Sequence, residues 1–133
     1  MVVWVRNITV DSKDAYSQAQ FWSELTGWPI DPDNVPGDAE CLVAPTHPLP
    51  FDAPISGLLF VQVPEGKVAK NRIHLDLSPT DRTRDEEVVR LQALGAMIVG
   101  DHRTPDGRGW VVMADPEANE FCVERSTAER GIG

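Results

Sequence analysis

Short runs of alternating apolar and polar residues recur along this chain and predict β-strands. The first, residues 2–11 (VVWVRNITVD), is rich in β-branched residues and repeats with the period of two that is typical of a strand. Helical periodicity follows at 12–28, where Ser12 or Asp14 suits the start of a helix and Gly27 suits its end. The later segments WPI, ECLVA and GLLFVQV, separated by turns rich in proline and aspartate, predict further strands.

The second half of the chain repeats this order of elements. Residues 71–78 predict a strand and residues 79–96 a helix that Thr80 begins and Gly95 ends, and the segments MIVGD, WVVMAD and FCVER predict three more strands. A helix covers only one face of such a sheet, so the other face stays open unless a second module curls the sheet into a cup. We therefore predict an α+β fold of two βαβββ modules, about 1–66 and 67–133, that form a curved mixed sheet (a cup or barrel) with the helices outside.

The alternation also predicts which side chains share a face. The apolar alternates that we expect to face the helices are Ile8, Val10, Leu75, Leu77, Phe121 and Val123. The opposite alternates, which we expect on the concave side, are Asn7, Thr9, His74, Asp76, Glu120 and Cys122. A mixed polar lining of this kind suits a ligand pocket.

Composition and charge restrict the partners. The chain has 133 residues, enough for one domain, and its 21 acidic against 12 basic residues give a net charge of −9. This balance argues against binding to nucleic acid or to an anionic membrane surface. No run approaches the roughly 20 apolar residues of a membrane span. The only cysteines, Cys41 and Cys122, are too few for a disulfide framework, so we expect a cytoplasmic protein.

Three segments, 11–28, 70–77 and 94–123, resemble the vicinal oxygen chelate superfamily, which includes glyoxalase, bleomycin-resistance and dioxygenase proteins. The resemblance is greatest to its small glyoxalase-like domain proteins and covers about residues 2–125. It implies that residues 1–133 form a single glyoxalase-like domain whose two modules pair to form the cup. It also implies a homodimer as an alternative to the monomer, with the pocket built within one chain or shared between two.

Metal-using members of the superfamily carry ligands on the first and last strands of each module. The four positions that match are Asn7, Phe60, His74 and Cys122, and Gln62 shares the face of Phe60. Of these, His74 is a good ligand, while Asn7 is a weak one and Phe60 cannot ligate. We therefore expect no cofactor; the alternative is a divalent metal held by His74 with second ligands from Gln62 or Asp76.

Four candidate residues have both a structural and a functional interpretation. His74 is either a satisfied structural group or a ligand anchor and general base. Asp76 either orients that imidazole or is a solvated carboxylate. Trp110 either adds core or interface mass or stacks on a planar ligand. For Cys122 we expect a thiol that lines the pocket and neither reacts nor binds metal, since the adjacent glutamates disfavour a thiolate.

The sequence thus predicts a glyoxalase-like protein that binds a small, hydrophobic or aromatic metabolite or antibiotic in a pocket between the modules, without a complete metal site. The predicted ligand-binding residues are Asn7, Phe60, Gln62, His74, Asp76, Trp110 and Cys122. The first alternative is a metal-dependent lyase, isomerase or dioxygenase that uses His74, so enzymatic activity is left open. The second is a structural or regulatory protein with a collapsed pocket.

Overall fold

A computed structural model describes residues 2–131, which form two compact units that divide between Lys67 and Val68. Each unit combines one helix with one small sheet, so the predicted α+β class is confirmed. No helix within the described residues is long and apolar enough to cross a membrane. The prediction that the sheets of both modules form one curved sheet stays a prediction.

The first unit contains the strands β1 (Asn7–Ser12), β2 (Glu40–Val43) and β3 (Gly57–Gln62) and the helix α1 (Ala15–Thr26). The strand order is β1-β3-β2, with β1 parallel and β2 antiparallel to β3. The predicted helix ends are confirmed, because Asp14 accepts a hydrogen bond from the Ser17 amide at 3.1 Å and Gly27 has a φ of 75°.

Two strand predictions in this unit were too long. The alternating segment 2–11 becomes a strand only from Asn7 onward. The predicted WPI strand is reduced to one bridge between Ile30 and Val43. Pro29 and Pro32 flank that bridge, and a proline has no amide hydrogen to continue a ladder.

The second unit contains the strands β4 (Leu75–Leu77), β5 (Met97–Asp101), β6 (Val111–Ala114) and β7 (Glu120–Val123) and the helix α2 (Arg84–Ala93). The order is β4-β7-β6-β5, with β4 parallel to β7. The first and last strands of each unit are thus parallel neighbours. The Ile30 bridge lies beside β2 in the first unit, as β5 lies beside β6 in the second.

The predicted start of α2 at Thr80 is wrong. The helix begins after Thr83, whose hydroxyl accepts from the Glu86 amide at 3.2 Å while the Glu86 carboxylate accepts from the Thr83 amide at 2.9 Å. This reciprocal capping box satisfies two donors, which a cap at Thr80 would not do.

One face of each sheet carries most of the buried side chains and forms the unit's core together with the apolar side of its helix. In the first unit this face carries Cys41, Val43, Leu58 and Phe60. In the second it carries Val111, Met113, Phe121 and Val123, and the helix supplies Val88 and Leu91. The predicted inward direction of Phe121 and Val123 is therefore confirmed.

Candidate functional site

The second sheet presents a mixed polar and apolar surface on the face opposite its core. Paired positions on neighbouring strands point to the same side of a sheet. Asp76 on β4 pairs with Cys122 on β7, which pairs with Val112 on β6, which in turn pairs with Gly100 on β5. We call this surface the Cys122 face. His74, one residue before β4, lies in the adjacent row beside Glu120, as the alternation predicted.

The imidazole of His74 is held by the segment that leads into β4. Its Nε2 lies 3.0 Å from the carbonyl oxygen of Asn71. A carbonyl oxygen only accepts, so Nε2 carries a proton, and in the neutral tautomer that fits this contact the lone pair is on Nδ1. The Asn71 amide in turn donates to the Glu120 carboxylate at 3.0 Å, and the Asn71 side chain donates to Asn119 at 3.3 Å. These contacts orient the ring, and its neutral tautomer presents Nδ1 as an acceptor for a ligand donor or a metal.

The thiol of Cys122 is kept neutral by its surroundings. Only 8% of the residue is exposed. Burial raises the pKa of the thiol, and the charge of Asp76 and a hydrogen bond to that carboxylate raise it further; Glu124 adds to the effect and Lys70 opposes it. A thiolate is the reactive and metal-binding form of cysteine. The direction of this shift supports the prediction that Cys122 lines the site without reacting.

A stacked pair of rings stands at the end of the Cys122 face. The rings of His102 and Trp110 have centroids 4.8 Å apart and planes 23° apart, and the His102 amide donates to the Trp110 carbonyl at 2.9 Å. A Cβ added at Gly100 would lie 3.2 Å from His102 Nε2 and 3.6 Å from the Cβ of Val112. The imidazole therefore covers Gly100 on the side where Val112 and Cys122 point.

From the sequence, Trp110 is singled out but His102 is not. His102 is exposed, yet it is the stacking partner of Trp110. The signal that could have found it is the glycine inside the strand MIVGD, because a strand glycine often marks a place where another group approaches closely.

The corresponding face of the first unit is poorer in chemistry. Thr9 pairs with Leu59, which pairs with Leu42, and Asn7 pairs with Gly57. The amide nitrogen of Asn7 donates to the Thr9 hydroxyl at 2.9 Å. This face therefore offers apolar surface, one hydroxyl and one amide in these rows, and the exposed carboxylates of Asp11 and Glu40 in the next row, where both residues pair with Val61.

The expectation that Phe60 and Gln62 share a face with Asn7 is wrong. Phe60 pairs with Val10 on β1 and is fully buried, so it belongs to the core. Gln62 lies on that same side, where its side-chain oxygen accepts from the Ala15 amide at 3.4 Å at the start of α1. The predicted match on β3 is one position away from the residue that faces the same side as Thr9, and one position reverses the face of a strand. The counterpart of Cys122 in the first unit is Leu59.

The residues on these two faces do not fit a complete divalent metal site. Over residues 2–131 no three side chains of His, Cys, Asp or Glu are grouped so that they could hold an ion. In the second unit the donors nearest to Cys122 are Nδ1 of His74 and the carboxylate of Asp76, while Cys122 is a neutral thiol and Glu120 accepts from the Asn71 amide. In the first unit the positions that match His74 and Cys122 hold Asn7, a weak ligand, and Leu59, which is not a donor.

The second unit has the βαβββ order of the vicinal oxygen chelate superfamily, the class that the resemblance predicted, and the first unit has the same order with one strand reduced to the Ile30 bridge. A family model described as the glyoxalase-like domain matches residues 7–124, and the chain belongs to that family. No curated protein matches the sequence significantly.

Solved structures of this superfamily share the fold at low sequence identity. A variant of the fosfomycin resistance protein FosX from Listeria monocytogenes, complexed with Mn(II) and 1S,2S-dihydroxypropylphosphonic acid, has a TM-score of 0.68 and 17% identity, covering 98% of this chain and 95% of its own. Lactoylglutathione lyase from Agrobacterium tumefaciens has a TM-score of 0.57 and 20% identity, covering 100% of both chains. TnmS3, an antibiotic binding protein from Streptomyces, has a TM-score of 0.58 and 24% identity, covering 92% and 95%. At these identities the likeness shows the fold alone.

Proposed function

We propose that this protein binds a small organic molecule against the Cys122 face, without a complete metal site. The observation that carries the proposal is the combination of groups on that one face. It brings together an imidazole acceptor, a carboxylate, a neutral thiol, an apolar floor and an aromatic wall, from His74, Asp76, Cys122, Val112 and Trp110. Binding pockets typically combine apolar and aromatic walls with a few placed polar groups.

The chemistry of this face favours binding over covalent catalysis. A nucleophilic cysteine needs a lowered pKa, whereas burial and Asp76 raise that of Cys122. Nδ1 of His74 accepts a hydrogen bond from a ligand hydroxyl or amide at no cost to the bond from Nε2 to Asn71. The site therefore has the polar anchors that fix a ligand and lacks an activated nucleophile among the residues described here.

The ligand class we propose is a hydrophobic or aromatic metabolite or antibiotic. Support comes from TnmS3, which is an antibiotic binding protein of this fold, and from FosX, which is a fosfomycin resistance protein. Asn7 remains a proposed contact from the first unit, with Leu59 in place of Phe60 and Gln62. The pocket between the modules, the homodimer and the cytoplasmic location stay predictions.

The test of binding is a ligand screen with a positional readout. A panel of aromatic antibiotics and metabolites is added to the full chain in the presence of EDTA, and Tm is measured. Compounds that raise Tm are then examined by NMR, and we expect them to shift the signals of Cys122 and His74. A panel that leaves Tm unchanged, or stabilising compounds that leave both signals in place, would overturn the proposal.

The second candidate is a metal-dependent lyase, isomerase or dioxygenase that uses His74. It is favoured by the lone pair on Nδ1 and by the Mn(II) in FosX. Metal analysis of the purified protein, combined with His74→Ala, separates the two candidates. A suitable control is His47→Ala, because His47 also contacts a backbone carbonyl, that of Pro29 at 2.8 Å, but lies in a loop of the first unit. A stoichiometric divalent ion that His74→Ala removes and His47→Ala retains would replace the binding proposal by the enzymatic one.

A further inference from the structure

We propose that the His102–Trp110 pair is a preformed stacking platform that selects flat, positively charged ligands for the Cys122 face. This inference rests on the proposed function and names the class of molecule that the site takes. It assigns a role in recognition to His102, whose position over Gly100 is visible only in three dimensions.

The first step is the geometry of the pair. The planes are 23° apart, with a centroid distance of 4.8 Å, so the imidazole covers one face of the indole. The residue Trp110 nevertheless remains 45% exposed. Aromatic rings prefer offset stacking at such distances, which leaves the rest of the indole surface available to a further flat group.

The second step is the rigidity of the loop that presents the pair. Arg84 of α2 is buried, with a side chain only 5% exposed, and its Nη1 donates to the carbonyls of Gly107, Arg108 and Gly109 at 3.3, 3.0 and 3.0 Å. These three residues lead directly into Trp110. A recognition ring held in place beforehand loses little conformational entropy when a ligand binds.

The third step is the room that Gly100 provides. A Cβ at this position would lie 3.2 Å from His102 Nε2, closer than ordinary contact. Glycine is therefore the residue that lets the imidazole lie flat against the sheet beside Val112. Because Val112 pairs with Cys122, the platform continues into the proposed site.

The sign of the ligand charge follows from the groups around the platform. The face of an indole is electron-rich and attracts cations. Asp76 is exposed on the Cys122 face, where its effect on the Cys122 thiol exceeds that of Lys70. Glu124 is paired with Arg130 at 3.3 Å, and Arg103, the neighbour of His102, is paired with both Asp101 and Asp85, so these two cations are already balanced by acids. The net charge of −9 adds a long-range attraction for cations. A flat aromatic cation would thus stack on the indole of Trp110 and also be attracted by the negative charge of the protein.

The experiment compares two tricyclic probes of opposite charge, proflavine as the cation and anthraquinone-2-sulfonate as the anion, by calorimetric titration into the full chain. We expect the cation to bind about tenfold or more tightly than the anion, and Trp110→Leu to weaken it by about tenfold. The matched control is Trp4→Leu, since Trp4 is similarly exposed at 48% but lies in the first unit. Equal affinity for the two probes, or an unchanged affinity in Trp110→Leu, would overturn the platform.

Gly100→Val tests the platform without touching either ring. Valine is a good strand residue, so the fold is kept, but its side chain occupies the place of the imidazole. We expect weaker proflavine binding with an unchanged far-UV circular dichroism spectrum, and unaltered binding would count against the proposal. The two proposals fail separately. If panel ligands shift the NMR signal of Cys122 but bind Trp110→Leu as tightly as the parent, only the platform is refuted. If proflavine binding depends on Trp110 but leaves the NMR signals of Cys122 and His74 unchanged, the proposed function is refuted.

Discussion

Replacement of Arg84 by methionine is expected to release the loop that ends at Trp110 and to destabilise the second unit. Methionine keeps much of the length and apolar surface of the arginine stem but donates no hydrogen bond. The carbonyls of 107–109 and the carboxylate of Asp85 would then lose their shared donor.

The magnitude follows from the hydrogen bonds that the guanidinium makes. The nitrogen Nη1 carries two hydrogens, so its three carbonyl contacts amount to about two full bonds, and hydrogen bonds to a charged group contribute about 1.5–3 kcal/mol each. The bond from Nε to Asp85 adds little, because that carboxylate is largely exposed. Water reaches part of the exposed loop and replaces some of the loss. The expected decrease in the free energy of unfolding is therefore about 3 kcal/mol.

Urea unfolding followed by circular dichroism measures this decrease, and tryptophan emission reports the loosening of Trp110. The control is Arg82→Met, because Arg82 contacts only the adjacent Asp81 carboxylate at 3.2 Å among the bonds the structure shows. The control is expected to change stability by less than about 0.5 kcal/mol. If Arg84→Met unfolds at the same urea concentration as the control, the hydrogen bonds from Arg84 to the carbonyls of 107–109 contribute nothing to stability, and the reasoning is refuted.

Three further outcomes are expected. Thr83→Ala removes the hydroxyl that caps α2 and is expected to cost about 1 kcal/mol by thermal unfolding, whereas Thr80→Ala should be silent; equal losses would contradict the capping box. Arg103 lowers the pKa of Asp101 from 3.8 to about 2, so the stability that this carboxylate contributes is present above pH 3.8 and is lost as the pH falls toward 2. Asp101→Asn is therefore expected to be less stable than the parent at pH 6 and equal to it near pH 2, and a difference that persists at pH 2 would refute this origin. In Cys41→Ala, where Cys122 is the single cysteine of the chain, Ellman's reagent is expected to label the thiol slowly in the native protein at pH 7 and rapidly in urea, because burial raises its pKa; rapid native labelling would show that Cys122 is reactive.

The order of elements was predictable because each signal was local. Asp14 and Gly27 mark the ends of α1 through a side-chain acceptor and a left-handed backbone, both of which depend on one residue. The start of α2 was also present in the sequence, since Thr83 has a glutamate three residues later and Thr80 does not. The hydroxyl of Thr80 alone does not begin the helix, because a capping box also needs a glutamate or glutamine three residues later, and residue 83 is a threonine.

The faces of the strands were predictable only where the register could be counted from a correct start. On β4 and β7 the alternation placed Asp76 and Cys122 on one side, and the parallel pairing confirms it. On β3 the count began one residue off, which exchanged Leu59 for Phe60 and moved a core residue into the site. The stacking of His102 on Trp110 depends on the space that Gly100 of β5 leaves open. No periodicity along the chain indicates that space.

The register also shows that the two units share a backbone arrangement but carry different side chains at matching positions. Asn7 stands where the second unit has His74, and Leu59 stands where it has Cys122. A divalent metal site needs several strong donors grouped together, and no three side chains of His, Cys, Asp or Glu are so grouped among residues 2–131. A ligand that is bound through stacking and a few hydrogen bonds has no such requirement, because a few polar anchors beside an apolar or aromatic wall suffice, and the second unit carries both on one face. The asymmetry of the donors is thus the physical reason to place recognition on the Cys122 face and to test it first with ligands rather than with metals.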